Sequence, residues 1–279
     1  MILCGIKWEC LSRSIDFKIL ILFLGMKWFI IFMVLLAGCR TVSISIPRPA
    51  EQLTGTIFYK SAAAYNYQQR DSLAVQWVLN GNVPSFLTSF VPVDIFYFDS
   101  TRDKKIKATI YVSQDYISVG TDKDWARVPL TPMASSIIAE HFDCFLPTKK
   151  IVDAVYKAAK VKLEPVPLYA FRDSTPVMYH HHLIIEGQRK LRSGLIAGIK
   201  KDVVNSSKPG RVAIYGWHRL NGIPIQPLYM GHVDWYVDYS HGARLVYKKM
   251  KVDGRWMDYK EVLNDAVLRN LICEGDCGM

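Results

Sequence analysis

Residues 231–246 read GHVDWYVDYSHGARLV and hold two of the seven histidines and two aspartates among aromatic and β-branched residues. An imidazole titrates near neutral pH, so a histidine oriented by a carboxylate can take a proton from a nucleophile. Read as a strand, the segment puts His232, Asp234, Tyr236 and Asp238 on one face and Val233, Trp235, Val237 and Tyr239 on the core side. His and Asp are poor strand formers and stand where a solvated strand usually carries Lys, Glu or Thr. Ser240-His241-Gly242 adds a second imidazole where the chain turns.

The nucleophile that would suit these groups is Cys144. A thiol attacks well only as the thiolate, which a nearby imidazole and a helix N-terminus both favour. In this reading His232 takes the proton from Cys144, and His241 or Asp238 holds the His232 ring in the useful tautomer. A second reading is a metal-dependent hydrolase, for which His232, Asp238 and His241 are suitable donor types, with Asp234 and His218 close by in sequence. A straight strand opposes it. Same-face neighbours lie about 7 Å apart, which sets His232 about 20 Å from Asp238. A third reading is binding without catalysis, with Trp217, Trp235, Tyr229, Tyr236 and Tyr239 as an aromatic platform for a glycan, a peptide or an envelope protein. The thiol and binding readings need no cofactor.

The compartment is written in the first forty residues. From Met26 the chain reads MKWFIIFMVLLAGC, a lysine, a short apolar run and small residues before a cysteine. This resembles the bacterial lipoprotein signal, in which the Leu36-Ala37-Gly38-Cys39 box directs lipid onto the cysteine. The resemblance implies a signal peptide over residues 1–38, with either Met26 as its true start or a longer signal whose apolar stretch runs from Ile19 to Leu36, and lipidation of Cys39. It also implies a chain held on the membrane by its lipid. Arg40 stands where an aspartate would signal inner-membrane retention, so a host with two membranes would carry the protein on the periplasmic side of the outer one. Removing residues 1–38 takes away four positive and two negative side chains, so the formal charge falls from +10 to +8. The basic residues are scattered and form no arginine-rich arm, which argues against a nucleic-acid partner. Four cysteines remain. Cys273 and Cys277, in CEGDC, are spaced to close a small disulfide in an oxidising compartment, which leaves Cys144 unpaired.

The elements that must position these groups are legible as patterns. Residues 39–56 carry two prolines and no helical period, the composition of a tether. Residues 57–130 read as a mixed helix and strand region: a helix over 71–79, then the alternating strand IKATIYVS with QDYISVG as its continuation or partner. Residues 131–279 read as the α+β region that carries the site. Thr131-Pro132 and Thr148 each open a helix, and residues 176–200 form one long helix with Val177, His181, Ile184, Leu191 and Leu195 along a face. His180-His181-His182 fits a hydrogen-bonded helix face better than a metal tract. The strands RVAIYGW, HVDWYVDY and ARLVYKKMKV follow, with a turn at Asp253-Gly254 and a last helix capped by Asp258 and Glu261. Helices followed by an antiparallel sheet make the class α+β.

This order of elements resembles the papain-like cell-wall peptidases of the NlpC type. The matching pieces are Asp143-Cys144 ahead of a helix, Pro209-Gly210 leading into a strand, His232-Val233 and His241. The resemblance implies a papain-like arrangement, a cysteine peptidase or amidase, and peptidoglycan peptide as substrate. This chain departs from the pattern by having Phe145-Leu146 after the cysteine and the 176–200 segment before the histidine. The phrases YGWHRLNGIPIQPLY, DYSHGARLV and LPTKKIVDAVYKAAKVKLEP also resemble a family of exported bacterial lipoproteins, which implies export and no particular reaction.

Overall fold

Helix starts are set by local chemistry, and five of the six among the described residues fall where a side chain can accept from the first free N–H groups. In the computed structural model, which describes residues 42–275 and Cys277, Thr54, Asn66, Thr131, Thr148 and Asp258 each accept from a backbone N–H of the first turn. The helices are α1 (Gly55–Ser61), α2 (Tyr67–Leu79), α3 (Pro132–His141), α4 (Lys149–Ala158), α5 (Thr175–Arg189) and α6 (Tyr259–Asn264). Among the described residues no helix is long and apolar enough to cross a membrane.

The strands form two sheets of consequence. In chain order they are β1 (Val42–Ser43), β2 (Ser89–Asp99), β3 (Lys104–Ser113), β4 (Ser118–Gly120), β5 (Trp125–Arg127), β6 (Cys144–Phe145), β7 (Val161–Lys162) and β8 (Ile196–Ala197). There follow β9 (Lys201–Val204), β10 (Ala213–His218), β11 (Pro224–Tyr229), β12 (His241–Gly242), β13 (Val246–Tyr247), β14 (Lys249–Val252) and β15 (Arg255–Asp258). The larger sheet runs β1-β2-β3-β13-β6, with the β14–β15 hairpin beside β3; the smaller runs β11-β10-β9-β12. Asp253 and Gly254 turn that hairpin with φ of 45° and 87°, the positive values a two-residue turn requires. The class is α+β.

Regions 57–130 and 131–279 share one body. β3 pairs with β2 along its length and with β13 and β14 on its other edge, and Phe58, Val78, Leu130, Ile138, Ile214 and Leu245 belong to one core cluster. Residues 42–54, expected as tether, pack on this body: Val42 pairs with Phe90, Ile46 is buried, and Leu53 exchanges two hydrogen bonds with Asn82.

Three further expectations are corrected. QDYISVG contributes β4, whose partner is β5 rather than β3. The long helix ends at Arg189, because Lys190 and Leu191 turn left-handed at φ 49° and 61°. Leu191 is then wholly exposed while Leu195 is buried, so they never shared a face. Most consequential, residues 231–239 are no strand. They descend as turns, with Tyr236 N–H donating to Val233, His241 N–H to Asp238, and one isolated bridge between Val233 and Arg211. The partner of β10 is instead Pro224–Tyr229, reached through the Asn221-Gly222 turn.

Buried charge holds these parts in place. The Arg127 guanidinium donates from Nε and Nη2 to the two oxygens of Asp115, at 2.8 and 2.7 Å, and from Nη2 to Glu186 at 2.8 Å. Both Arg127 and Asp115 are buried. Removing one member leaves the other charged without its partner in low dielectric. Arg127→Ala should therefore lower the unfolding free energy by about 3–5 kcal/mol, read as a fall in the urea midpoint.

Candidate functional site

The chain from His232 to Gly242 is organised by one carboxylate. Asp238 Oδ1 accepts from the Ser240 N–H at 2.8 Å and the Ser240 hydroxyl at 2.5 Å. Its Oδ2 accepts from Arg172 at 2.8 Å and the Tyr236 hydroxyl at 3.1 Å. Burial alone would raise the Asp238 pKa, yet the His241 ring, the Ser240 donors and Arg172 outweigh it and hold the group at about 2. Asp238 is thus an anion that fixes both the turn and the two side chains leaving it.

Four aromatic rings line up behind that anchor. His232 is half-buried, with Tyr229 5.1 Å and Tyr236 4.4 Å away between ring centroids; Tyr236 in turn lies 5.8 Å from His241. Burial lowers the His232 pKa, with Lys201 and Arg172 adding to the effect and Asp238 opposing it. His241 sits on β12, paired in parallel with β9 at Lys201, and is buried. Its Nε2 is 4.0 Å from Asp238 Oδ1, and neither ring nitrogen has a hydrogen-bond partner among the described residues. Burial drives its pKa down to about 4, against the pull of Asp238 and with help from Lys201, His232 and Lys200.

Two lysines line this region from β9 and the residue before it. Lys200 is fully buried and donates to the Tyr239 carbonyl, with its Nζ 3.2 Å from His181 Nδ1. Burial, aided by Arg127, lowers its pKa to about 7. Lys201 is also buried and lies 5.2 Å from the centre of the Trp217 ring. In sequence nothing distinguishes this buried pair from the other Lys-Lys pairs, at 104–105, 149–150 and 248–249. Arg172 had no signal either. It arrives from the 164–174 loop, which Tyr239 ties down by accepting the Leu168 N–H on its hydroxyl and donating its own N–H to the Arg172 carbonyl.

The structure therefore brings His232, Asp238 and His241 together and leaves Cys144 out. Cys144 is on β6, beside Tyr247 of β13, not at the head of α4. Its thiol donates to the Phe142 carbonyl at 3.3 Å, its charged neighbours are Asp143 and Lys248, and no imidazole hydrogen-bonds to it. It lines a cavity of about 340 Å³ with Glu140, Asn205, Tyr259 and Lys260, none of which is a histidine. Burial, then Asp143, pushes its pKa well up, the reverse of what a nucleophile needs. The expected metal set fares no better: among the described residues, no three His, Cys, Asp or Glu side chains converge to hold a metal ion. The buried residues of the histidine tract are His181 and His182, the latter facing Arg127. Cys273 and Cys277 do form a disulfide. Cys39 lies outside the described residues.

Compared with known proteins, the chain matches no family model, no curated protein and no solved structure. Its chemistry is read from its own geometry. With Ser240 donating to Asp238 and the thiol elsewhere, no thiol or hydroxyl among the described residues hydrogen-bonds to the His232 or His241 ring. What the arrangement offers is a partly exposed guanidinium and a row of rings held in place from below.

Two outcomes follow. Cys144 should resist iodoacetamide at pH 8 in the folded protein and react fully in urea, measured by mass shift. On the acid side, the unfolded His241 imidazole takes a proton near 6.5 and the folded one only near 4, so stability should fall as the pH drops across that window. For this ring alone the loss is about 3 kcal/mol. His241→Gln should flatten that part of a pH-dependent urea series.

Proposed function

We propose that the protein is an exported lipoprotein, anchored through Cys39, whose folded domain binds a component of the bacterial cell envelope without cleaving it. The lipoprotein box supports the compartment, and its lysine, apolar run and Leu-Ala-Gly-Cys order supply the chemistry a lipid-transferring enzyme would need. Binding rather than turnover is supported by one observation above all: the thiol lies on the larger sheet and His241 on the smaller, and among the described residues no thiol or hydroxyl hydrogen-bonds to the imidazoles near Asp238. A thiol held in its protonated form by burial does not open an amide bond.

The elements of a recognition face are present instead. Arg172 is partly exposed and pinned by Asp238, Tyr236 is pinned by the same carboxylate, and Trp235 stands about half exposed beside them. Side chains already held in place lose little freedom when a ligand arrives, which favours affinity. The net positive charge suits an anionic polymer such as the cell wall.

The test uses the full-length protein in the native host or a bacterial expression host. An alkyne fatty acid should label it, and Cys39→Ala should lose both the label and the membrane association. The solubilised protein should co-sediment with purified peptidoglycan sacculi and release no soluble fragments. Soluble muropeptide release that disappears in Cys144→Ser would overturn the binding reading in favour of a cysteine hydrolase.

A further inference from the structure

A second feature next to Tyr236 narrows the ligand. The N-terminal turn of α2 and the 235–237 segment face each other across a cleft of about 350 Å³, within the range of roughly 300–1,000 Å³ common for small-molecule sites. Its walls are aromatic. Trp235 stacks on Tyr67 with centroids 5.7 Å apart and planes 24° from parallel, while Tyr65 and Tyr236 line the remainder. Trp235 and Tyr65 are 49% and 40% exposed, which is costly in water unless something covers them.

Beneath these rings lies a buried guanidinium. Arg70 lines the cleft with its side chain only 2% exposed. A guanidinium carries five N–H donors. Arg70 makes one hydrogen bond, to Asp71 Oδ1 at the limiting distance of 3.5 Å, and its buried Nε has no partner among the described residues. Asp71 is committed elsewhere, because its Oδ2 accepts from the Thr131 N–H at 3.0 Å and hydroxyl at 2.7 Å. The helix end is not the anion site, since the Asn66–Gln69 capping box already satisfies it. A cation left this short of acceptors is a place for an oxyanion from outside. At the rim, Asp173 offers an acceptor for hydroxyl groups.

We propose that this cleft binds an acidic saccharide, with pyranose faces against Trp235 and the neighbouring tyrosines and a carboxylate on Arg70. The inference rests on the envelope-binding reading above and supplies its ligand class. Flat aromatic faces carry negative potential and take the C–H face of a sugar ring, while the guanidinium's fork matches a carboxylate. Wall glycan from which the stem peptide has been removed provides such a ring, since its muramic acid unit then carries a free lactyl carboxylate that its glucosamine unit lacks.

The experiment titrates the full-length protein in detergent with two disaccharides by calorimetry. One is N-acetylglucosaminyl-N-acetylmuramic acid and the other is N,N′-diacetylchitobiose, the neutral counterpart. The acidic sugar should bind about tenfold or more tightly than the neutral one, the fold-change that a charged hydrogen bond provides. Trp235→Ala, at an exposed position, should weaken both sugars about tenfold and leave the melting temperature unchanged. Arg70→Gln should abolish the preference between them; if it fails to fold, the sugar pair and the tryptophan variant still decide. Equal affinity for the two sugars, unchanged binding by Trp235→Ala, or tighter binding of a nucleoside monophosphate would overturn the proposal. Sacculus binding that persists while neither disaccharide binds refutes the cleft and spares the envelope-binding reading. Disaccharide binding without sacculus binding does the reverse.

Discussion

The turn from Ser113 to Ile117 is the point at which the larger sheet, the smaller sheet and α5 are tied, and buried charge does the tying. From one side Arg127 grips Asp115 through two hydrogen bonds and reaches Glu186 on α5. From the other, Arg244 donates to the carbonyls of Ser113 and Ile196 and lies 4.4 Å from the centre of the Tyr116 ring. Tyr116 passes the connection on by donating to Asp202 of β9. The backbone follows suit, with Ser113 N–H donating to Leu245 and Ile117 N–H to Ala243. Each contact joins a different element, so the larger sheet, the smaller sheet and α5 cannot shift independently. Guanidinium groups suit the task because they stay charged when buried and present several donors in a fixed plane.

That knot explains the chemistry at Asp238. Gly242 must pass so close to Tyr116 and Lys200 that a Cβ there would come within 2.6 Å of the tyrosine ring and 2.8 Å of Lys200. Holding β12 against β9 in this way buries His241 with both ring nitrogens unpartnered and brings Lys200 and Lys201 within its field. Burial, with the nearby cations adding to it, drives the imidazoles neutral, while the His241 ring, the Ser240 donors and Arg172 hold Asp238 in its charged form. The result is rigid and electropositive, with Arg172 and Tyr236 presented outward from one anchor.

Features that depend on a few consecutive residues were legible. The caps at Thr131, Thr148 and Asp258, and the Asp253-Gly254 turn, need only a side chain and the backbone two or three residues away. The alternation of IKATIYVS was legible for the same reason, because β3 is long enough for its period to show. The segment from His232 to Tyr239 misleads because it alternates without pairing. Asp238 prefers the donors of Ser240 and Arg172 to a place on a strand face, and the chain turns to reach them. That curl brings His232 within the charge influence of Asp238, where a straight strand would hold them far apart. The burial of Lys200 and Lys201 was illegible for another reason, since nothing in two adjacent lysines says that a strand will be covered on both sides.

By itself, then, the sequence determined the α+β class, the helix starts after Thr131, Thr148 and Asp258, and the hairpin turn, all of which are settled by near neighbours. The tertiary structure alone decided which distant groups meet. It set Cys144 in the larger sheet with a carbonyl for company, gathered Arg172, Lys200 and Lys201 around Asp238 and His241, and left Arg70 short of acceptors beneath Trp235. The physical reason is reach. A cap is decided over a few ångströms of one chain, whereas a buried charge takes its partners from whichever elements the core brings alongside.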